Sequence, residues 1–244
     1  MLKNNLNIII LSIAMVISAY LFSNAFQNRN KNNDIISVTG LGKKDFVSDL
    51  IVWNGSFSKK NSTLKDAYAS LDADREKIKT YLTGKGIQTS EMVFSAVNFN
   101  KDFETTYNEN GTTRQQIFTG FTLTQSVNIQ SKDVNKIEEI SRQSTELINS
   151  GVEFYSSAPE YYYTKLAELK IKMIAEATKD ASTRAKSIAE NADANLGNLK
   201  KSDMGVFQII GQNSSEDFSY GGSFNTSSKN KTATITVKLV YQVD

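Results

Sequence analysis

Not one of the 244 residues is a cysteine or a histidine, and Pro159 is the single proline. Each absence removes a class of chemistry or architecture. Without cysteine there are no disulfides and no thiol to carry the lipid of a bacterial lipoprotein. Without either residue, His/Cys zinc sites, papain-like dyads, Ser-His-Asp triads and HExxH metalloprotease sites are impossible. The lone proline argues against Pro-rich linkers and for a continuous fold. Neither charge is in excess. There are 28 basic and 26 acidic residues, and residues 1 to 25 hold only Lys3, so the remainder balances at 27 minus 26, or +1. A body so near neutrality offers no general electrostatic pull toward nucleic acid. No motif singles out a catalytic, cofactor-binding or metal-ligating residue.

The only long apolar run lies at the N-terminus. From Leu6 to Phe22 it holds 17 residues, roughly 25 Å of helix at 1.5 Å per residue. Extended to Phe26 it reaches about 31 Å, matching a hydrocarbon core of about 30 Å. Residues 1 to 27 are expected to be an uncleaved signal-anchor, with residues 28 to 34 as an Asn/Lys-rich tether. A cleaved signal peptide is the alternative, since Ser23-Asn24-Ala25 has the small-x-small form of a cleavage site, although the run exceeds the usual length of about 7 to 15 residues. Lys3 on one side and Arg29 and Lys31 on the other leave the positive-inside rule undecided.

The chain beyond, 35 to 244, is long enough for one large α+β domain or two small interlocked ones. Ile35 to Thr39 reads as a short strand turning at Gly40-Leu41-Gly42. Phe46 to Phe57 reads as a second, central strand with Val47, Ile51, Trp53 and Phe57 on one face. Asn61 or Ser62 is expected to cap a helix to about Thr83, with Leu64, Tyr68, Leu71, Ile78 and Leu82 as its apolar stripe and Gly84 as its stop. Met92 to Phe103 and Arg114 to Ile129 form two long strands around the hairpin signal Asn108-Glu109-Asn110-Gly111. Lys132 to Asn149 is a second helix, with Val134, Ile137, Ile140, Leu147 and Ile148 inward. Val152 to Tyr155 and Glu160 to Tyr163 are extended. From Phe46 to Tyr163 the order is strand, helix, strand, strand, helix, strand, that of a ferredoxin-like βαββαβ unit spanning about 46 to 163.

A long helix follows from about Thr164 to Asn195, with Leu166, Leu169, Met173, Ala177, Ala181, Ala185, Ile188, Ala189 and Ala192 along one side. Its small residues permit close approach to a sheet or a symmetry mate. Leu196-Gly197 is expected to close it. Lys201 to Gln212 is a strand candidate, and Thr232 to Val243 is a clear strand with Ala233, Ile235, Val237, Leu239, Tyr241 and Val243 on one face. The Ser/Asn/Gly-rich loop 213 to 230, carrying Phe218, Tyr220 and Phe224, is expected to be mobile.

Six segments in order carry a family likeness: Val38-Thr39-Gly40-Leu41-Gly42, Asp49-Leu50-Ile51-Val52-Trp53, Gly84-Lys85-Gly86-Ile87, Gly151-Val152, Lys172-Met173-Ile174-Ala175-Glu176-Ala177-Thr178 and Gly205-Val206-Phe207. Together they resemble the SIMPL-domain proteins of bacterial cell envelopes, over nearly the whole chain after residue 34. The resemblance implies a two-part α+β fold in which N- and C-terminal strands share a sheet around an inner ferredoxin-like unit. It implies a periplasmic or inner-membrane-anchored location, with self-assembly, and it transfers no catalytic motif. Asp193 departs from the pattern, standing where a glycine is expected near the end of the long helix.

Several features invite a chemical reading beside a plain one. Gly40-Leu41-Gly42 lacks the third glycine of a phosphate cradle and leads into Lys43-Lys44 rather than a helix. Asp72, Asp74 and Glu76 alternate with Arg75, Lys77 and Lys79 and read as a solvated helix face. Asp102, Glu104, Glu109 and Asn110 surround a hairpin tip but lack the spacing of a calcium loop. Tyr161-Tyr162-Tyr163 is either an exposed aromatic contact surface or a strand end whose rings cover the sheet. Phe218, Tyr220 and Phe224 either ride on a flexible connection or order against a partner. The expectation is a non-enzymatic, membrane-tethered, homo-oligomeric envelope module without a cofactor, held to the membrane through Leu6 to Phe26. A periplasmic small-ligand-binding protein is the alternative, and a hydrolase with a Ser/Lys or carboxylate site comes third.

Overall fold

The computed structural model describes residues 2–28, 34–107, 110–111, 113–217 and 219–243. Helix α1, Leu2–Asn28, is exposed throughout Ile10 to Phe26. Among the described residues no helix is long and apolar enough to cross a membrane. The transmembrane helix expected at Leu6 to Phe26 is therefore not found. The stretch of α1 with described side chains, Ile10 to Phe26, is 17 residues, about 25 Å long against the roughly 30 Å of a hydrocarbon core. Most of the tether, residues 29 to 33, lies outside the described residues.

The rest of the described chain builds two mainly antiparallel sheets, the terminal one with one helix on a face and the inner one with two. Strand β1, Ile35–Val47, runs unbroken through Gly40 and Gly42 and pairs along its whole length with β11, Asn230–Val243. The expected turn at Gly40-Leu41-Gly42 is absent because those glycines serve a different purpose. Helix α4, Leu166–Asn191, lies directly on them. A Cβ on Gly40 would sit 2.1 Å from the Ala177 carbonyl oxygen, and one on Gly42 2.5 Å from that of Met173. Ala177, Ala181, Ala185 and Ala189, all buried, present the matching small surface. Leu41 donates its N–H to Asp180 Oδ2 at 2.9 Å, so the helix also satisfies a donor of this edge strand.

The far edge of β11 is covered by β8, Leu196–Met204, and β9, Gln208–Gly211, while the two-residue β10, Ser223–Phe224, pairs parallel to β9. Leu196-Gly197 thus opens a strand rather than closing α4, and the single strand expected over Lys201 to Gln212 is two. The helix ends through Asp193, which adopts the left-handed region at φ 51°. Asp and Asn tolerate that region best among non-glycine residues, which reconciles the departure from glycine. Ala192 lies at the exposed end of α4 and Ile188 is half exposed, so neither joins the stripe.

Phe46 to Phe57 is not one strand. The chain breaks at Ser48-Asp49 and crosses from the terminal sheet into the inner one, where β2 spans Leu50–Asn61. Val47 stays in the terminal sheet, 55% exposed, away from Ile51, Trp53 and Phe57. The crossing is fixed by hydrogen bonds. Asp49 accepts from Thr164 N and Oγ1 at 2.7 Å each, Asp49 N donates to Tyr162 O at 3.0 Å, and Ser48 N donates to Lys229 O at 2.9 Å.

In the inner sheet β2 pairs with β5, Thr113–Ser131. Beyond β5 lie β3, Met92–Phe94, and β4, Asn98–Tyr107; beyond β2 lie β6, Phe154–Ser156, and β7, Glu160–Tyr162. With α2, Leu64–Gly84, and α3, Val134–Gln143, this is the ferredoxin-like order, the first and second strand blocks flanking the third. Thr63, not Asn61 or Ser62, caps α2, accepting from Asp66 N at 3.1 Å. The second helix is shorter than expected because its last turns tighten into 3₁₀ geometry at Ser144–Ser150, which turns Ile148 outward. Trp53, Phe57, Leu71, Ile78, Leu82, Val127 and Ile137 fill this core, whereas Leu64 and Tyr68 are exposed.

Candidate interaction surface

Strand β5 outruns its neighbour. Its pairing with β2 ends at Asn61 opposite Phe121, and from Gly120 back to Thr113 it is matched only by β4. The result is a two-stranded arm projecting past the sheet. Gly120 makes the departure possible: its φ is 139°, and a Cβ there would lie 2.5 Å from the Asn61 carbonyl oxygen. Register changes at the same point. Asp102 opposes Gly120 but Phe103 opposes Phe118, which leaves Thr119 as the extra residue of a bulge.

A polar knot fastens the arm's root. Lys60 Nζ lies 3.1 Å from Asp102 Oδ2 and donates to Thr119 Oγ1 at 3.3 Å, while Thr122 Oγ1 donates to Asp102 at 2.5 Å. The Thr122 hydroxyl first, and Lys60 second, hold the Asp102 carboxyl below its ordinary pKa. Along the arm the rings follow one another, Phe103 to Phe118 at 5.8 Å and Phe118 to Phe121 at 5.1 Å. Phe103, Tyr107, Ile117 and Phe118 are between 44% and 64% exposed, and Phe99, beside the arm's root, is 55% exposed. A lone two-stranded ribbon is marginal in water, and exposed rings on it gain by being covered.

A second feature lies on the face of the terminal sheet opposite α4. Leu41 and Lys43 of β1, Thr232, Thr234 and Thr236 of β11 and Gln208 and Ile210 of β9 floor an open groove of about 570 Å³, with Val206, Ser219 and Tyr220 at its rim. At one end Asp45 accepts from Thr232 Oγ1 at 2.6 Å and Gln212 Nε2 at 3.3 Å. The Thr232 hydrogen bond, followed by Gln212 and the charges of Lys43 and Lys44, lowers its pKa.

Described residues of the loop beside the groove make hydrogen bonds to the sheet and to one another. Gln208 donates to Ser219 O at 2.7 Å and accepts from Ser223 Oγ at 2.5 Å; Glu216 accepts from Asn225 Nδ2. Beneath it Lys231, 1% exposed, donates to Asn225 O at 2.5 Å. Desolvation pushes its amine down to about 8, opposed only in part by the Glu216 charge.

Tyr161 is 7% exposed in the inner core, Tyr162 rests 6.4 Å from Phe224 and Tyr163 4.8 Å from Phe46. The tyrosine triplet is therefore a strand end that covers the sheet. Phe218 and Glu109 lie outside the described residues, and Tyr220 is fully exposed. Asp102 is engaged by Lys60 and Thr122, and among the described residues no group of three or more acidic side chains could hold a metal ion. Asp74 departs from the solvated-face reading: it is 3% exposed on α2, with Lys59 Nζ at 2.9 Å and Lys77 Nζ at 3.5 Å from its carboxylate. Its Oδ2 takes no aligned hydrogen bond, so the Lys59 contact is ionic only.

The arm aromatics escaped the sequence reading because alternation in β4 looks the same whether a face is covered or bare. The one available signal was length: Arg114 to Ile129 is longer than the strand it must pair with.

No curated protein matches the chain. Residues 36–241, which begin in β1 and end in β11, match the family model SIMPL, described as a protein of unknown function (DUF541). With the terminal strands sharing a sheet and a ferredoxin-like unit between them, the chain belongs to the SIMPL family.

Proposed function

We propose that the chain is a non-enzymatic, membrane-tethered module of the cell envelope that works by self-assembly. The observation that carries this reading is the arm, a ribbon with no third strand among the described residues and with four large apolar side chains, Phe103, Tyr107, Ile117 and Phe118, open to solvent. The exposed apolar side chains of α1, among them Ile10, Leu11, Ile13, Val16, Ile17 and Leu21, support attachment to lipid. The ionisable groups with displaced pKa values serve contacts within the fold, Asp45 with Thr232, Asp180 with Leu41 and Glu138 with Lys229, which supports a non-catalytic role.

Light scattering of the full chain in detergent is expected to give a mass above one copy that falls on dilution. One-copy mass at every concentration would sink the assembly reading. Small-ligand binding is the second reading, favoured by the groove at Lys43 and Thr234, whose volume is that of ordinary ligand sites. Native mass spectrometry of the purified chain is expected to reveal a co-purifying small molecule if that reading holds.

A further inference from the structure

We propose that Lys231 and Asn225 join in an intramolecular isopeptide bond, the Lys231 amine displacing ammonia from the Asn225 carboxamide while Glu216 moves the proton. This goes beyond the self-assembly reading and does not depend on it.

Lys231 is 1% exposed on β11, yet among the described residues no carboxylate forms an ion pair with it. Buried ammonium groups ordinarily take a counter-ion. Here both hydrogen bonds go to a single neutral residue: the amine donates to Asn225 O at 2.5 Å and to Asn225 Oδ1 at 3.3 Å. With a C=O bond of about 1.2 Å, the second contact leaves Nζ no more than about 4.5 Å from the carboxamide carbon. Only a neutral amine attacks carbon. Desolvation, which lowers this amine to about 8, leaves about a quarter of it neutral at pH 7.5, against about one part in a thousand for an ordinary lysine.

The carboxamide is held in place for such an attack. Asn225 N donates to Ile209 O at 2.9 Å, and the next carbonyl, Thr226 O, accepts from Tyr161 N at 2.7 Å, so the backbone here is tied to both sheets. Ser228 N donates to Asn225 Oδ1 at 2.8 Å, while Asn225 Nδ2 donates to Glu216 Oε1 and, at 3.1 Å, to Ser227 Oγ. Gly211 N donates to the other Glu216 oxygen at 3.4 Å. The amide oxygen thus faces the amine and the Ser228 N–H, and the amide nitrogen faces a carboxylate. Each step has its group. The neutral amine turns from the Oδ1 lone pair onto the face of the amide and forms the Nζ–Cγ bond. Negative charge builds on Oδ1, where the Ser228 N–H stabilises it. Glu216 accepts the proton that the attacking nitrogen sheds and passes it to Nδ2. The Cγ–Nδ2 bond breaks and ammonia leaves past Glu216, which is exposed. A primary amine and a carboxamide become a secondary amide and ammonia, with no oxidant, reductant or cofactor. The event happens once per chain, and it rivets the turn before β11 to that strand.

Intact mass spectrometry of the full chain in detergent, on preparation and during incubation at pH 8, is expected to show a species lighter by about 17 Da, the mass of the ammonia lost. Trypsin locates the bond. Lys229 lies between the two partners, so after cleavage there the segment carrying Asn225 is expected to stay joined to the one carrying Lys231, which trypsin no longer cuts. Lys231→Arg, with folding checked by circular dichroism, is expected to keep its full mass. Glu216→Gln is expected to close about a hundredfold more slowly. Full mass in the unaltered chain at every time would overturn the proposal. So would a loss of ammonia that persists in Lys231→Arg or yields only linear peptides, because Asn225 would then have cyclised on its own backbone. Closure of Glu216→Gln at the unaltered rate would overturn the part given to the carboxylate. Only unreacted chain keeps a free amine at this position, so intact mass comes before any titration of Lys231.

Discussion

The inner sheet carries two helices on one face and the terminal sheet one, yet they are held by opposite means. The inner sheet meets α2 and α3 through bulk, with Trp53, Phe57, Leu71 and Leu82 filling the space between backbones. The terminal sheet meets α4 by removing bulk: Gly40 and Gly42 let the helix backbone touch the strand, and four alanines complete the contact. The helices differ accordingly at their starts. Thr63 and Asp133 cap α2 and α3 with side-chain oxygens, whereas α4 has no side-chain cap and takes its position from packing. Close packing serves both, but a bulky core is injured by lost atoms and a bare one by added atoms.

Truncating the inner core should have the largest effect. Trp53 is fully buried, its Nε1 donates to Ser156 Oγ at 3.0 Å and its ring meets Phe154 edge-on at 5.9 Å. Trp53→Ala is expected to cost about 3 to 5 kcal/mol in urea unfolding. Gly40→Ala adds one methyl where 2.1 Å is available and should cost about 1 to 3 kcal/mol, with α4 displaced. A neutral Gly40→Ala would break the comparison, because it would mean that α4 lies on the strand without needing the glycine. Third comes the cap. Thr63→Ala should cost about 1 kcal/mol, measured by thermal melting, while Lys165→Ala at the corresponding position of α4 should change little, since no side chain there bonds the helix.

This difference also explains what the sequence made legible. The inner unit was readable because its strands and helices bury large residues at fixed periods, so Ile51, Trp53, Leu71, Ile78 and Leu82 announce their faces. The terminal sheet was misread at Gly40-Leu41-Gly42, because a glycine that makes room for a helix has the same letter as one that makes a turn. The break at Ser48-Asp49 was missed for a related reason: apolar residues continue across it from Phe46 to Phe57, and only the hydrogen bonds from Thr164 and to Tyr162 reveal that the chain changes sheets there. Asp74 was hidden among charged neighbours, since burial of one carboxylate depends on Lys59 of the adjacent strand rather than on helical spacing. The α4 stripe was legible as a small-residue face, but its partner, the glycines of β1, was not.

A dependence on pH also sets the two halves apart. Lys231, in the terminal half, has its amine lowered to about 8 by desolvation, against an ordinary value of 10.5. Between those values the unfolded chain binds the proton and the folded chain has released it, so the unfolded state holds more protons and stability must rise with pH. Below pH 8 both states are charged and the desolvation penalty is present in full; above about 10.5 both are neutral and the gain is complete. Urea unfolding of the full chain beside Lys231→Met, in steps from pH 7 to 11, is expected to give a difference curve that is flat, then rises between 8 and 10.5, then is flat again. A level curve throughout would mean that the amine stays solvated in the native state. The hydrogen bond from Lys231 to the Asn225 carbonyl oxygen would then be too weak to keep water from the amine.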